Sequence, residues 1–359
     1  MASNNNIVVA RVLLPDDANV AGNVHGGTTL KLMEEAGTIA ASRYVNKGGG
    51  KSIASLVRFE HMSFHKSILV GEVASCTCEI IFTSNQSILV EVVVHSEDLT
   101  KGETNVTNTG WLWYVPLGPP DSNTENEDWY IAKVPSMPTL NDDDAIKKYE
   151  KAKSCHERRK STCGKINCGE DPDAAAKQFD LETDSDEFET FKQQYTIPSE
   201  GRSPSESEQV LCQIVHPGDC GKYKVAFGGF VMKLMDNSAG CSAWRHCRTN
   251  VVTVAISDMD FVSFVRLGDL CTIKSRVVFV SSKSLEIEVI ASVASVLGTN
   301  NGDKDTIVAR GLFTFVSLNS DGKVQVVPKL KLESEQDKRN FYMGQKRYEA
   351  AKKARLQRS

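Results

Sequence analysis

The strongest constraint on this chain is that it contains one unit twice, because a repeat fixes the architecture before any single element is read. The run from Gly26-Gly27 to Glu34 matches the run from Gly228-Gly229 to Asp236 at an offset of 202, and Arg43 and Arg245 keep that offset. Gly71-Glu72 matches Gly268-Asp269 at 197, and Ser84 to Val92 matches Ser281 to Val289 at the same offset. Gly110 to Leu117 then matches Gly311 to Leu318 at 201. Offsets that drift by only a few residues along a whole unit mark a duplication with small loop changes.

Each copy reads as a loop, one helix and several strands. Leu30, Met33, Gly37, Ala40 and Ala41 give the segment from Thr28 to Tyr44 an apolar or small face at helical spacing. Glu72 to Thr83, Ser87 to His95 and Thr107 to Val115 are rich in β-branched residues and read as strands. The expected class is α+β: two tandem units, each a long helix wrapped by an antiparallel sheet, with the sheets paired. The chain then divides into a first unit (1–118), a charged linker (119–208) with a helix at about 142–159, a second unit (209–332) and a charged C-terminal helix (333–359). Tyr149-Glu150 and Tyr348-Glu349 echo one another, so a charged helix is expected after each unit. Asp171 to Glu208 is acidic and serine-bearing, the composition of a mobile linker.

Composition removes several function classes. At 359 residues the chain suits two domains. Its net charge of −4 offers no general attraction to phosphate backbones, which argues against nucleic acid as a partner. No apolar run approaches the roughly 20 residues that span a bilayer, and the first residues lack the basic and apolar regions of a secretory signal. The basic stretch Lys346 to Arg358 has no aromatic or leucine-rich face and reads as a solvated helix end. Ten cysteines in a chain able to bury a large core do not imply a disulfide framework. Cys76 and Cys78 in a strand-like run, and Cys241 and Cys247 in a helix-like run, suit reduced thiols and a cytoplasmic setting. Cys155, His156, Cys163 and Cys168 contain no Cys-x-x-Cys pair, so unligated thiols are expected there and no metal.

The chemistry concentrates where the first helix begins. Asp17, Asn19, His25, Gly26 and Gly27 precede or open it. Two glycines at a helix start let a ligand approach unpaired N–H groups at the positive end of the dipole, although a tight turn would need the same glycines. Asp236 shares a helix face with Met232, Ala239, Gly240 and Ala243, and Glu34 sits likewise among Leu30, Gly37 and Ala41. A carboxylate among such residues is costly to bury unless it is hydrogen-bonded or used, and an acid recurs at this place in both copies. His25-Gly26-Gly27 resembles a lipase oxyanion loop, but no Gly-x-Ser-x-Gly supplies a serine nucleophile. A dyad of His25 with Asp17 is not intrinsic to the unit, since the second copy has Phe227 in place of His25.

The stretch from Pro15 to Gly37, with Asp17-Ala-Asn19-Val-Ala-Gly22-Asn23-Val-His25-Gly26-Gly27, resembles the tandem hotdog-fold acyl-CoA thioesterases, their cytosolic long-chain branch above all. The degenerate copy from Pro217 to Gly240 and the strand motifs extend the likeness over nearly the whole chain. The resemblance implies two hotdog domains side by side, three such double units in a ring, and hydrolysis of fatty acyl-CoA to free acid and CoA. It implies Asn19 and Asp236 as the working pair. Asp236 then acts as general base on water, Asn19 orients the water or the carbonyl, and backbone N–H groups at His25, Gly26 and Gly27 hold the oxyanion. A thiolate leaves without a strong acid, so no cofactor is required.

The second copy departs from that pattern. Gly221 stands opposite Asn19, so the pair Gly221 and Glu34 is expected to be a decayed site, and Lys224 in place of Gly22 could alter the loop. Ser84, Ser87, Lys283 and Ser284 in the repeated turns, with Arg43 and Arg245 near helix ends, are candidate contacts for CoA; each also fits a plain turn or surface charge. The acyl chain is expected between the two helices. Two alternatives remain: a non-catalytic acyl-CoA-binding scaffold, and a hotdog enoyl-CoA hydratase. Hydratases carry Asp-x-Asn-Pro-x-His, whereas here Asp17 and His25 are eight apart with no proline between.

Overall fold

The structure is a computed structural model that describes residues 9–19, 22–119, 129–163, 185–257, 259–295 and 305–356. The first unit runs β1 (Val9–Val12), α1 (Gly26–Val45), β2 (Ile53–Phe64), β3 (Val73–Thr83), β4 (Ile88–Asp98), β5 (Glu103–Gly118) and β6 (Tyr130–Ile131). α2 (Asp143–Cys163) and α3 (Ser185–Gln194) follow. The second unit repeats the order with β7 (Gln209–Ile214), α4 (Gly228–Cys247), β8 (Asn250–Ile256), β9 (Met259–Phe261), β10 (Asp269–Val280), β11 (Ser284–Ser295) and β12 (Thr306–Leu318), and α5 (Glu335–Leu356) closes the chain. Alternating burial along β3 and β10 places one face of each strand on a helix, the period-two pattern of a half-buried strand.

Among the described residues the named strands pair antiparallel, in the order β1-β3-β4-β5-β2-β8-β12-β11-β10-β7. The halves therefore share one continuous sheet, joined where β2 meets β8 and β9: Ser63 lies opposite Ala255, and Arg58 opposite Asp260. Arg58 forms ion pairs with Asp260 across that seam and with buried Glu60, whose other oxygen accepts the Trp113 indole N–H at 2.8 Å. This is the α+β tandem arrangement, with one long helix wrapped by each half of the sheet.

Helices α1 and α4 cross almost backbone to backbone. A Cβ on Gly27 would lie 2.8 Å from the Lys233 Cα, and one on Gly229 would lie 2.8 Å from the Lys31 Cα. The repeated Gly-Gly thus serves helix crossing as well as the site. At the crossing itself the two backbones are too close for an acyl chain to pass between them. Gly37 has a different reason: a Cβ there would fall 2.2 Å from the Tyr114 hydroxyl, which donates to the Glu34 carbonyl at 3.1 Å.

The outer face of each half is covered by a charged helix. On α2, Tyr149, Ala152 and His156 pack against Phe82 and Trp113; on α5, Phe341 and Tyr348 pack against Phe279, and Arg347 pairs with Glu286. Cys155 is buried and His156 stacks on Trp113 at 5.6 Å, so both side chains serve packing; Cys168 and the Cys163 side chain lie outside the described residues. The acidic linker is more ordered than its composition suggests. Within 171–208, Ser185–Gln194 forms α3, anchored by Phe188 and Phe191 on Phe341 and Tyr342, whereas 171–184 lies outside the described residues. Two aromatics four to seven residues from Tyr195 were enough to fold a charged segment onto the core. Among the described residues, no helix is long and apolar enough to cross a membrane.

Candidate active site

Asp236 sits in the middle of α4 and is 3% exposed. Its Oδ2 accepts the Gly27 N–H from the start of α1 at 2.8 Å, and its Oδ1 accepts the Thr253 hydroxyl from β8 at 2.8 Å. Burial raises its pKa; the Thr253 bond, the Gly27 N–H and the charge of His25 oppose that without cancelling it. The result is a carboxylate of increased basicity that is held at both oxygens. Gly26 must be glycine for the same reason, since a Cβ there would lie 3.2 Å from Asp236 Oδ1 and 3.3 Å from Thr253.

The loop before α1 is closed by its own hydrogen bonds. Asn19 N–H donates to the Asn23 carbonyl at 2.8 Å, Gly22 N–H to the Asn19 carbonyl at 2.9 Å, and Asn23 N–H to Asn19 Oδ1 at 3.2 Å. Gly22 takes φ +80°, a left-handed conformation suited to glycine. His25 N–H is bonded to the Asp17 carbonyl at 2.9 Å, and Gly27 N–H to Asp236. Two of the three amides expected to hold an oxyanion are therefore committed. Gly26, the first helical residue, has no carbonyl a turn earlier to bond, and it faces the same cavity as Asp236. The Asp17 carboxylate is buried and paired with Arg11 and Leu14 N–H, so it does not form a dyad with His25.

Asn19, His25, Gly26, Thr253 and Asp236 line one cavity of about 1100 Å³, which is roomy even for a cofactor-sized ligand. Its walls are α4 and β8, with Phe64 and Ile68 opposite, and Gly26 and Thr29 from the start of α1 border it beside the crossing with α4. Arg245 lies on this cavity, with Lys66 and Lys233 as further cations that the sequence did not single out. Arg43, Ser84, Ser87, Lys283 and Ser284 do not line it. Ser84 and Ser87 bond each other at 2.6 Å and close the β3–β4 hairpin, and Ser281 and Ser284 do the same at 2.7 Å between β10 and β11. These repeated serines are turn residues, Lys283 is an exposed member of its turn, and Arg43 is an exposed residue near the end of α1.

The second copy preserves the loop and differs in the side chains around it. Gly221 N–H donates to the Val225 carbonyl at 2.9 Å and Lys224 N–H to the Gly221 carbonyl at 3.1 Å, the same pattern as around Asn19. Lys224 adopts φ +58° where Gly22 has +80°, so it strains the turn without altering it. What has gone is chemistry. Gly221 offers no amide. Leu56, which stands at the 197 offset from Thr253, offers no hydroxyl and packs on Gly228. Glu34 is 1% exposed; its Oε1 accepts from Thr38 at 2.9 Å, while Oε2 faces Gly229 with no hydrogen bond. Burial pushes its pKa up to about 8. Thr253 is the site residue that the sequence reading missed, and the Leu56 mismatch at offset 197 was the signal available.

The chain matches the Thioesterase superfamily over residues 21–103 and 223–294. It is 37% identical over 346 residues to the cytosolic acyl coenzyme A thioester hydrolase of Mus musculus, covering 95% of this chain and 82% of the relative. It is 36% identical over 344 residues to the protein of the same description from Homo sapiens, with the same two coverages. A solved thioesterase structure from Lactobacillus plantarum covers 89% of this chain and 99% of that chain with a TM-score of 0.51 at 9% identity, a likeness of fold alone.

Proposed function

The chain belongs to the Thioesterase superfamily as an acyl-CoA thioester hydrolase, and from this we propose that it hydrolyses long-chain fatty acyl-CoA at the single site around Asp236. The observation that carries the site assignment is the buried Asp236 carboxylate, tied to the Gly27 N–H and the Thr253 hydroxyl on the cavity that Asn19 also lines. Asp236 takes a proton from water as its oxygen attacks the thioester carbonyl, a role that its raised pKa favours. Asn19 orients the water or the carbonyl with its amide. The Gly26 N–H, at the positive end of α1, stabilises the tetrahedral oxyanion. When that intermediate collapses, the carbon–sulfur bond breaks and CoA leaves as a thiolate, with a pKa of about 8.5. Asp236 returns its proton to sulfur or solvent, and no metal or organic cofactor enters the reaction.

In this reading Lys66 and Lys233 are the cations available to CoA phosphates, Arg245 lies beside Trp244 on the same cavity, and Gly221 with Glu34 is a decayed site. The protein works in the cytoplasm, as the description of its relatives suggests, and three double units assemble into a ring, as the family resemblance implies. The test is release of CoA from a series of acyl-CoAs by wild type and Asp236→Ala, followed without a thiol dye. Wild-type turnover that peaks at long chains and falls by about two orders of magnitude or more in the variant supports the mechanism. Binding without release would favour the scaffold reading and leave Asp236 a structural acid.

A further inference from the structure

We propose that Gly240, with Phe315 opposite it, is the entrance to the acyl channel, and that this pair decides which half of the chain accepts a fatty acyl group and how long that group can be. The proposal deepens the thioesterase reading above and rests on it.

The argument compares the two copies at one place, a helical turn beyond the acid. In the first copy, Glu34 is followed by Thr38, and Tyr114 of β5 packs on the same turn. The Thr38 hydroxyl donates to Glu34 Oε1 at 2.9 Å, and the Tyr114 hydroxyl donates to the Glu34 carbonyl at 3.1 Å. All three side chains are buried, Tyr114 completely. They form a hydrogen-bonded plug beside the acid. Gly37 exists to admit Tyr114 so closely.

In the second copy, the matching residues are Asp236, Gly240 and Phe315. Neither hydroxyl of the plug is present, and all three residues line the cavity of about 1100 Å³. A Cβ built on Gly240 meets only the Phe315 ring, at 3.9 Å, so the space beside it is open. Gly240 does not have a positive φ, so no backbone strain calls for glycine there. Glycine in a helix interior is otherwise unfavourable. The absent side chain is what leaves a passage from Asp236 along α4 between Gly240 and the Phe315 ring, towards Val251 and Trp244 on the same cavity. An apolar chain whose thioester carbonyl is at Asp236 can take this passage, while Asn19, from the loop before α1, and Lys66, after β2, line the polar part of the cavity.

The test is the ratio of kcat/KM for palmitoyl-CoA to that for butyryl-CoA. Gly240→Thr restores the first-copy residue, and Phe315→Trp narrows the same passage from the strand side if the helix variant fails to fold. The expected result is a fall of at least about tenfold in the ratio, since each methylene that a pocket excludes is worth roughly tenfold or more. Gly240→Ala, whose methyl fits at 3.9 Å, should change the ratio much less. An unchanged ratio in folded Gly240→Thr or Phe315→Trp overturns the proposal, as does an equal loss on both substrates, which would place Gly240 in support of Asp236 instead. Wild type inactive on both substrates would overturn the thioesterase reading itself, a separate outcome.

Discussion

The Gly27 N–H of α1 donates to Asp236 Oδ2 of α4 at 2.8 Å, so the acid of one half is held by the helix start of the other. The two-fold counterpart is not equivalent: Gly229 faces Glu34 Oε2, yet that oxygen has no hydrogen bond. A near-symmetric crossing therefore carries an asymmetric load. On one side the glycine is needed for packing and holds the acid by a full hydrogen bond; on the other it is needed for packing, and its N–H acts on the acid only weakly.

Gly27→Ala and Gly229→Ala separate those two needs. Each adds a Cβ 2.8 Å from a backbone Cα of the facing helix, and each should destabilise the fold by about 1–3 kcal/mol, the usual cost of overpacking. Only Gly27→Ala should also lower turnover per folded molecule, because moving the amide disturbs Asp236. Thermal melts with kcat measured on the same preparations check this, and equal kinetic losses in both variants would refute it.

Thr253→Val should shift the pH profile as well as the rate. The Thr253 hydroxyl bond favours the charged form of Asp236, so its loss raises an already raised pKa. A general base works when ionised, so the acid limb of kcat/KM should move to higher pH. The plateau should fall as well, by roughly ten- to a hundredfold, because a carboxylate freed at one oxygen is misplaced for proton transfer. Thr253→Ser should restore the limb to near its original position.

Several of these features were legible in the sequence and others were not, for physical reasons. The repeat, the two long helices and the acid in each copy follow from periodicity and self-similarity, which are local properties. Thr253 was hidden because a threonine inside a β-branched strand is ordinary, and its partner Leu56 emerges only after the offset changes from 202 to 197. The serines of the Ser84 and Ser281 turns attracted attention by recurring, but recurrence reports shared structure as readily as shared function. The channel depends on differences of one hydroxyl or one side chain, Thr38 against Gly240 and Tyr114 against Phe315, whose meaning is set by neighbours in space.

Glu34→Gln should stabilise the protein at neutral and alkaline pH. The Glu34 carboxyl titrates near pH 8 in the folded chain, against an ordinary value near 4.5. Between those values the native state retains a proton that the unfolded state has released, so stability falls as pH rises and levels off above about 8. The wild-type melting temperature should decline across that window, by an amount reflecting a few kcal/mol at most. The variant, which cannot ionise, should lack that part of the decline. Matching slopes in both proteins would mean that Glu34 is ionised in the fold at neutral pH.

The last expectation concerns the second site, proposed above as decayed. If only the missing amide were responsible, Gly221→Asn in an Asp236→Ala background would revive turnover, because the loop around Gly221 already has the geometry of the loop around Asn19. The surroundings of Glu34 argue otherwise. Leu56 occupies the place of the Thr253 hydroxyl against Gly228, and Thr38 with Tyr114 seals the space beside the acid. Gly221→Asn alone should therefore leave CoA release within about twofold of the Asp236→Ala background, a change of less than about 0.5 kcal/mol in barrier. Adding Leu56→Thr should still give little, and the first measurable gain should need Thr38→Gly with Tyr114→Phe to open the plug. Recovery of tenfold or more by Gly221→Asn alone, about 1.4 kcal/mol of barrier, would show that the asparagine, and not the closed cavity, is what the second half lacks.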